Sequence, residues 1–356
     1  MQRYQAGYIK GIFSDDNRQD WDDKQPRPVS WSCWYPAPFD NPTIDLKFGH
    51  RTGSNLPLFS QGQVAEKAPI SDSQDEWPLV VFSHGTGGTS TGLAWLGTRL
   101  AQTGYICIGV DHHGNTAIEP YRAEGFICWW ERASDLSFII DHANDIAAIK
   151  NRVDSRNISV VGFSLGGYTA LSLTGAVTSM AQFEAWLLAS PNPTHGPREF
   201  PNIDQEIPLL MAKSPRFRQS WDRHGDLYLD TRISKCVAIA PAPPVRAFLT
   251  DSLSSIACPT FIISGEADNE APYEQCSVWL SKQNPGFRLQ SAGKDVGHYT
   301  FLSECTHHGK SVEQEICIDH PHIIRSEIHD EVSSKIVDFL RKNQDTHRKN
   351  QDTHNL

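Results

Sequence analysis

Apolar residues cluster in three short runs within the first half of the chain, at residues 78–82, 105–110 and 158–161. Largely apolar runs of this length are typical of strands that are buried on both faces of a sheet. Between the runs, Leu93, Leu96 and Leu100 recur at intervals of three and four, as on the buried face of a helix. Leu136, Ile139, Ile140 and Ile146 indicate a second long helix. This alternation predicts right-handed crossovers and a mostly parallel central sheet with helices on both faces.

The pattern differs on either side of this region. Before it, residues 29–35 alternate as in a half-buried strand, and the polar stretch 38–75 predicts hairpins and loops. After it, residues 175–234 are interrupted by proline and contain many large apolar side chains, which predicts a mostly helical cap or lid. Strands are expected again at residues 236–240, at 260–264 and near 287–289.

A last helix is expected over residues 323–341, because apolar residues recur there mostly at spacings of four. Its predicted buried face consists of Ile324, Ile328, Val332, Ile336, Val337 and Leu340. Residues 342–356 are polar and repeat a short motif, which predicts a disordered tail. We therefore expect one domain over residues 1–341, with the cap at 175–234 inserted into it.

Composition excludes some classes of protein. Of the 356 residues, 39% are hydrophobic and 21% charged, so a sizeable core is expected rather than general disorder. The formal net charge of −10 disfavours a nucleic-acid partner, which needs a basic surface. No apolar stretch is long enough to span a membrane, and the N-terminal residues lack a secretory pattern. These features predict a soluble, cytoplasmic protein.

The strongest chemical signal is the sequence Gly-Phe-Ser-Leu-Gly-Gly at residues 162–167, which lies between a predicted strand and a predicted helix. A serine at the tip of such a sharp turn adopts a strained backbone conformation that exposes its hydroxyl group, and its glycine neighbours avoid a clash. The pattern predicts a nucleophile elbow with Ser164 as the nucleophile.

A serine nucleophile needs a base, and the base needs an acid that fixes its tautomer. His298 follows the last predicted strand, in a loop that contains glycine. Asp268 follows the strand before it and is the preferred acid, with Glu266 and Glu270 as alternatives. The order Ser164, Asp268, His298 is the order expected of an α/β-hydrolase.

The oxyanion of a tetrahedral intermediate also needs two hydrogen-bond donors. The backbone N–H of Leu165, at the start of the predicted helix, is one candidate. The second is expected in the loop after residue 82, where Thr86 is preferred and Gly85 comes next; His84 is expected to be structural.

A disulfide or metal site must be considered near the C-terminus. Cys305 and Cys317 bracket a polar loop with four nearby histidines, namely His307, His308, His320 and His322. A disulfide or a reduced pair is the preferred interpretation, surface histidines come second and a metal site a distant third, since the spacing fits no standard zinc pattern. We expect no metal and no cofactor.

Three motifs together resemble one branch of the α/β-hydrolases. The segments 80–88, 162–167 and 297–301 are similar to those of platelet-activating-factor acetylhydrolase-like proteins and of predicted dienelactone hydrolases, as are residues 34–37 and 111–115. The resemblance implies an α/β-hydrolase fold and metal-independent ester hydrolysis through an acyl-serine. Two differences stand out: dienelactone hydrolases use a cysteine nucleophile, and the acetylhydrolase has its acid soon after the nucleophile, where residues 239–244 offer no carboxylate.

The cap is the expected site of substrate selectivity, and its candidate pocket residues are Trp186, Leu210 and Trp221. The leading hypothesis is a serine esterase acting on a small-molecule carboxylic ester. The alternatives are a lipase or polyesterase with a mobile apolar lid, a phospholipid deacylase, a non-catalytic binding protein on the same fold, and a cofactor-free peroxidase or carbon–carbon hydrolase.

Overall fold

Eleven strands form one mixed sheet in the computed structural model, which describes residues 3–50, 54–190 and 196–342. The strands are β1 Gln5–Gln19, β2 Pro26–Ala37, β3 Ile44–Phe48, β4 Phe59–Glu66, β5 Trp77–Ser83, β6 Ile106–Asp111, β7 Val153–Phe163, β8 Ile233–Ile239, β9 Thr260–Ser264, β10 Phe287–Ser291 and β11 Glu304–Cys305. Their order is β10-β9-β8-β7-β5-β6-β2-β1-β4-β11, with β3 paired to β4.

The central part of the sheet is parallel, as the alternation of strands and helices predicted. Strands β10, β9, β8, β7, β5 and β6 pair in parallel with their neighbours. Beyond β6, the β6–β2 and β2–β1 pairs are antiparallel, so the N-terminal strands extend the sheet at one side. Because the central strands are parallel, their carboxyl ends lie at the same edge of the sheet. Ligands bind at this edge in open α/β sheets.

Helices cover both faces of the sheet. They are α1 Ala94–Thr103, α2 Ala123–Ile127, α3 Glu131–Asp141, α4 Leu165–Leu173, α5 Met180–Ala189, α6 Glu206–Lys213, α7 Pro215–Trp221, α8 Thr250–Ser254, α9 Trp279–Ser281, α10 His307–Val312, α11 Gln314–Cys317 and α12 Arg325–Arg341. Apolar residues of α3, α4 and α8 belong to one core cluster, whereas those of α1 and α12 belong to another. The predicted two-sided covering of the sheet is therefore present.

Some predicted boundaries were wrong. The second predicted helix ends at Asp141, and Ile146 is buried between two short 3-10 turns. The last helix begins at Arg325, so Ile324 precedes it and is 56% exposed. The prediction had no element over β1, although this strand is 15 residues long. Its glycines explain why: Gly7 and Gly11 lie opposite Tyr35 and Trp31, and a Cβ at either glycine would clash with the aromatic ring.

The region predicted to be a cap, residues 175–234, contains α5, α6 and α7 and one 3-10 turn in its described part. Residues 191–195 lie outside the described residues, as does nearly all of the tail predicted to be disordered. Within the described ranges, no helix is long and apolar enough to cross a membrane.

Candidate active site

Ser164 occupies the sharp turn between β7 and α4. Its φ of 55° and ψ of −120° are strained for a residue with a side chain. A Cβ on Gly162 would come within 1.8 Å of the Gly166 carbonyl oxygen, and a Cβ on Gly166 within 1.9 Å of the Ser83 carbonyl oxygen. Only glycine fits at both positions, which is the physical reason for the spacing noted in the sequence.

Ser164, His298 and Asp268 are joined by two hydrogen bonds. His298 Nε2 lies 2.9 Å from Ser164 Oγ, and His298 Nδ1 lies 2.7 Å from Asp268 Oδ2. Because a carboxylate only accepts, Nδ1 carries the proton and Nε2 is free to accept the proton of the serine. The structure thus brings together the three residues that the sequence selected, in an arrangement able to generate a nucleophile. Their catalytic roles stay predictions.

The two alternative acids lie elsewhere. Asp268 is 4% exposed, and its second oxygen accepts a hydrogen bond of 2.7 Å from the Ala271 N–H. The exposed Glu266 instead accepts a bond from the Ser291 hydroxyl, and Glu270 lines the cavity described below. Asp268 is therefore the most enclosed of the three carboxylates and the one bonded to His298.

The loop of His298 is held from behind by buried side chains. Trp95 of α1 donates a hydrogen bond from its indole nitrogen to the Phe301 carbonyl at 2.8 Å. His329 of α12 donates from Nε2 to the Thr300 carbonyl at 2.8 Å and stacks on the Trp95 ring. Burial lowers the pKa of His329 to about 3, so this histidine is a neutral donor. These contacts fix the loop of His298 relative to the sheet.

The direction of the Leu165 N–H is fixed, because the carbonyl of the same peptide group is held by hydrogen bonds. The Ser164 carbonyl, which belongs to the same peptide, accepts hydrogen bonds from the N–H groups of Gly167 at 2.8 Å and Ala242 at 3.1 Å. A trans peptide directs its N–H opposite to its carbonyl, and the first N–H of a helix has no intrahelical acceptor. Leu165 therefore presents a fixed donor beside Ser164.

The Thr86 N–H is fixed in the same way. The Gly85 carbonyl, its peptide partner, accepts from His84 Nδ1 at 2.6 Å and from the Gly88 N–H at 3.2 Å. The Gly87 N–H is bonded to Asn115 Oδ1 at 2.7 Å and so belongs to the scaffold of the loop. A Cβ added to Gly85 would lie 3.1 Å from Ser164 Cβ, so this loop runs directly beside the serine. Thr86 and Gly85 stay the candidates for the second oxyanion donor.

His84 is structural in this geometry, as the sequence suggested. Its Nδ1 donates to the Gly85 carbonyl, and its Nε2 accepts from the His112 N–H at 3.2 Å. Burial, together with the nearby Arg132 guanidinium, holds the pKa of His84 well below its usual range. The ring is therefore neutral and cannot reach Ser164 as a base while it keeps both bonds.

A cavity of about 1850 Å³ opens over Ser164 and His298. On one side its wall is formed by apolar residues of the cap, namely Met180, Phe183, Leu187, Ile203, Ile207 and Trp221. On the other side it is lined by residues of the N-terminal strands and the loops beside them, among them Ile12, Trp31, Phe48 and Phe59. The sequence indicated the cap wall but not the second wall, because the strands that form it were not predicted as part of the site.

The three predicted pocket residues do not share one environment. Trp221 lines the cavity. Leu210 packs against the buried cluster around Trp130 and Phe217, as Trp221 also does, but Leu210 does not line the cavity. Trp186 stacks on Phe183 with Arg246 over its ring and does not line the cavity either. Apolar residues on one helix can face either the core or the cavity, and their spacing in the sequence does not show which of the two a given residue faces.

Cys305 and Cys317 form a disulfide with a Cα–Cα distance of 5.6 Å. Neither sulfur is then available as a thiolate ligand. Among the described residues there is no group of three or more His, Cys, Asp or Glu side chains arranged to hold a metal ion. The expectation that the reaction needs no metal and no cofactor stays a prediction.

Comparison with known proteins identifies the family. The model of the alpha/beta hydrolase family matches residues 80–308, which include the loop after β5, Ser164, Asp268 and His298. The chain belongs to the α/β-hydrolase family. The mostly parallel sheet with helices on both faces is the fold of this family.

Curated relatives match a shorter part of this α/β-hydrolase. It is 31% identical over 96 residues to cutinase est2 of Thermobifida alba, covering 26% of this chain and 29% of that protein. It is 34% identical over 96 residues to cutinase 2 of Thermobifida cellulosilytica, covering 26% and 33%. It is 28% identical over 99 residues to bis(hydroxyethyl) terephthalate hydrolase of Streptomyces coelicolor, covering 28% and 29%. The matches thus span a third or less of these relatives.

A solved structure matches almost the whole chain. The ferulic acid esterase from Streptomyces cinnamoneus superposes with a TM-score of 0.62 over 96% of this chain and 90% of the other, at 18% sequence identity. At this identity the likeness shows a shared fold.

Proposed function

We propose that this α/β-hydrolase cleaves carboxylic esters through an acyl-serine intermediate. The hydrogen-bonded chain Ser164–His298–Asp268 at the floor of a large cavity supports this proposal most directly. The names of the partial relatives, cutinases and a terephthalate-ester hydrolase, point to the same reaction class.

In the proposed reaction, Ser164 Oγ attacks the ester carbonyl carbon while its proton moves to His298 Nε2. The carbonyl oxygen becomes an anion that accepts hydrogen bonds from the Leu165 and Thr86 N–H groups. Collapse of the intermediate breaks the bond to the alkoxide, which takes the proton from His298 and leaves as the alcohol. A water molecule then repeats the sequence on the acyl-serine and releases the carboxylic acid.

Asp268 has a separate role in this proposal. Its carboxylate holds the proton of His298 on Nδ1 and stabilises the imidazolium that forms in each step. Because it is buried and bonded to the Ala271 N–H, it is fixed in place throughout the cycle.

A bulky or polymeric ester is the second candidate substrate. The cavity is much larger than a short-chain ester needs, and Ile12 and Ile118 in its lining are 63% and 54% exposed. An exposed apolar rim favours contact with an apolar surface such as a polyester or a lipid. The resemblance to the acetylhydrolase and dienelactone hydrolase branch stays a prediction, as does a phospholipid substrate.

The proposal is tested with p-nitrophenyl esters of graded acyl length and a suspension of an aliphatic polyester, using wild type and Ser164→Ala. We expect wild type to hydrolyse at least the soluble esters and Ser164→Ala to lose that activity. Absence of turnover on every ester by a folded wild-type protein would support the non-catalytic alternative instead.

The disulfide bears on localisation. Bonds of this kind form and persist mainly in oxidising compartments. We therefore propose that the protein works in such a compartment, in place of the cytoplasmic localisation that the sequence predicted. Alkylation of the native protein isolated from its source, followed by mass measurement, should find Cys305 and Cys317 unmodified until a reductant is added.

A further inference from the structure

The loop after β5 is fixed by side chains, most of them buried, at almost every peptide. The carbonyl of His84 accepts from Arg132 Nη2, the carbonyl of Gly85 accepts from the His84 ring, and Gly87 is bonded to Asn115 and Tyr121. Each of these contacts sets the direction of one peptide plane. The peptide held by Arg132 is the one that supplies the Gly85 N–H, because the two groups share a plane and point in opposite directions.

Arg132 acts on the next peptide as well, through the ring of His84. Its Nη2 lies 3.3 Å from His84 Nδ1, and a positive charge so close disfavours the imidazolium form. A neutral ring with its proton on Nδ1 is needed to donate to the Gly85 carbonyl while Nε2 accepts from the His112 N–H. One guanidinium thus determines both peptides from which a second oxyanion donor can come.

The burial of Arg132 has no evident benefit for stability. The residue is 1% exposed, and its Nε and Nη1 have no hydrogen-bond partner within the described part of the chain. Burial lowers its pKa to about 9, which reports an unfavourable environment for the charge. Its neighbour Arg27 is equally buried, but its guanidinium makes two bonds of 2.8 and 3.0 Å with Asp135.

We propose that Arg132 is a positioning residue of the oxyanion hole, which directs the Gly85 and Thr86 N–H groups toward the ester carbonyl by holding the His84 carbonyl and the neutral His84 ring. The inference rests on the proposed ester hydrolysis. Arg132 belongs to α3 and lies outside the sequence motifs of the candidate site. It acts on the proposed reaction only through the loop after β5.

Arg132→Met tests the proposal, with Arg27→Met as the matched control. Methionine keeps most of the volume and removes the charge and the donor. Without Arg132, one or both of the peptides that supply the Gly85 and Thr86 N–H groups would no longer be held in position. We expect kcat to fall about 10- to 100-fold and KM to change less than about threefold, since only the transition state carries the oxyanion. Affinity for phenylboronic acid, which forms a tetrahedral anion on Ser164, should fall by a similar factor.

Arg27→Met should show the opposite profile. It breaks a two-bond ion pair and leaves Asp135 less compensated, so its melting temperature should fall more than that of Arg132→Met. Its kcat should stay within about threefold of wild type, because Arg27 does not contact the loop. Equal kcat losses in the two variants, or a kcat of Arg132→Met near that of wild type, would overturn the proposal.

Arg132→Lys guards against a folding defect. Its ammonium keeps the charge and a donor, so it should retain more kcat and more boronate affinity than Arg132→Met; equal loss in both contradicts the hydrogen-bonding role. If Arg132→Met does not fold, the same two readouts for Arg132→Lys against wild type decide the matter. Wild-type turnover of esters is measured first, so that failure of the proposed function is recognised separately.

Discussion

Two Ser–His–Asp chains with nearly the same geometry lie within the part of the protein that the structure describes. In the candidate active site, His298 lies 2.9 Å from Ser164 Oγ and 2.7 Å from Asp268. In the interior, His112 Nε2 lies 2.9 Å from Ser83 Oγ, and its Nδ1 lies 3.0 Å from Asp135 Oδ2. Hydrogen-bond distances alone would not separate a nucleophile from a structural serine.

The surroundings of the two chains separate them. Ser164 lines the cavity, starts a helix and has strained backbone angles, whereas Ser83 is 0% exposed at the end of β5. Burial lowers the pKa of His112 to about 3, and Asp135 is also bound by Arg27 and Arg18. The interior carboxylate is therefore compensated by arginines. A nucleophilic serine is therefore distinguished from a structural one by access to the cavity, backbone strain and nearby N–H donors, and not by the triad pattern itself.

The largest expected effect comes from removing each serine hydroxyl in turn. Ser164→Ala should lower kcat on a p-nitrophenyl ester by about 10⁴- to 10⁶-fold, because no other group can form the acyl-enzyme. Ser83→Ala should keep kcat within about tenfold and lower the free energy of unfolding by about 1 kcal/mol, the usual value of one hydrogen bond. Steady-state kinetics and urea unfolding of both variants measure these effects. A larger kcat loss in Ser83→Ala than in Ser164→Ala would reverse the assignment.

The two aspartates should separate activity from stability. Asp268→Asn favours the wrong tautomer of His298 and should lower kcat by about 10⁴-fold with little change in melting temperature. Asp135→Asn leaves buried guanidinium groups unpaired and should cost about 3–5 kcal/mol of stability.

The alternative acids provide the control for Asp268→Asn. Glu266→Gln and Glu270→Gln should be far milder in kcat, since neither carboxylate is bonded to His298. If either of these variants loses more activity than Asp268→Asn, the acid has been assigned wrongly.

The interior histidines should make stability depend on pH. The pKa of His84, His112 and His329 is lowered mainly by burial, so these rings stay neutral in the fold while the unfolded chain takes up protons below about pH 6.5. Their contribution is complete above that pH and is lost as the pH falls. Asp111, whose pKa burial raises to about 6, has the opposite effect between about pH 4 and 6.

Near pH 5 the unfolded chain therefore binds about three more protons than the fold at the histidines and about one fewer at Asp111. The net difference of about two protons changes the free energy of unfolding by about 3 kcal/mol per pH unit. Urea unfolding at pH 7, 6 and 5 should therefore show a steady loss of stability, and His329→Gln should reduce the slope by about one proton. A free energy of unfolding that is constant over this range would mean that these rings are not held neutral.

The smallest expected effect concerns the cap. Trimming Trp221 to alanine removes part of the cavity wall and should change the ratio of kcat/KM between short and long acyl esters by about tenfold, at about 1 kcal/mol per buried methylene. Leu210→Ala should lower the melting temperature and affect every ester equally, because Leu210 packs against the same cluster as Trp221 but does not line the cavity. Equal behaviour of the two variants would remove the distinction between core and cavity side chains.

The sequence predicted local features better than features that depend on distant contacts. The elbow at Ser164 was recognisable because strand, turn and helix are adjacent in the chain. Strand β1 was missed because its glycines are explained only by aromatic residues on the neighbouring strand. Trp221 and Leu210 were treated alike because their helical spacing does not show which side faces a cavity.

The sequence contains a signal for Arg132. Residues 132, 136, 139 and 140 lie on one face of α3, so Arg132 shares that face with three apolar residues, and the buried Asp135 lies beside it. A buried charge of this kind needs a reason. The structure supplies one in the contact with the His84 carbonyl.

The most direct test of the central claim is covalent labelling. The wild-type protein is treated with a fluorophosphonate, digested and mapped by mass spectrometry, together with Ser164→Ala and Ser83→Ala. We predict a single modified serine, Ser164, with full labelling of Ser83→Ala and none of Ser164→Ala. Modification of Ser83, or undiminished labelling of Ser164→Ala, would contradict the assignment of the nucleophile.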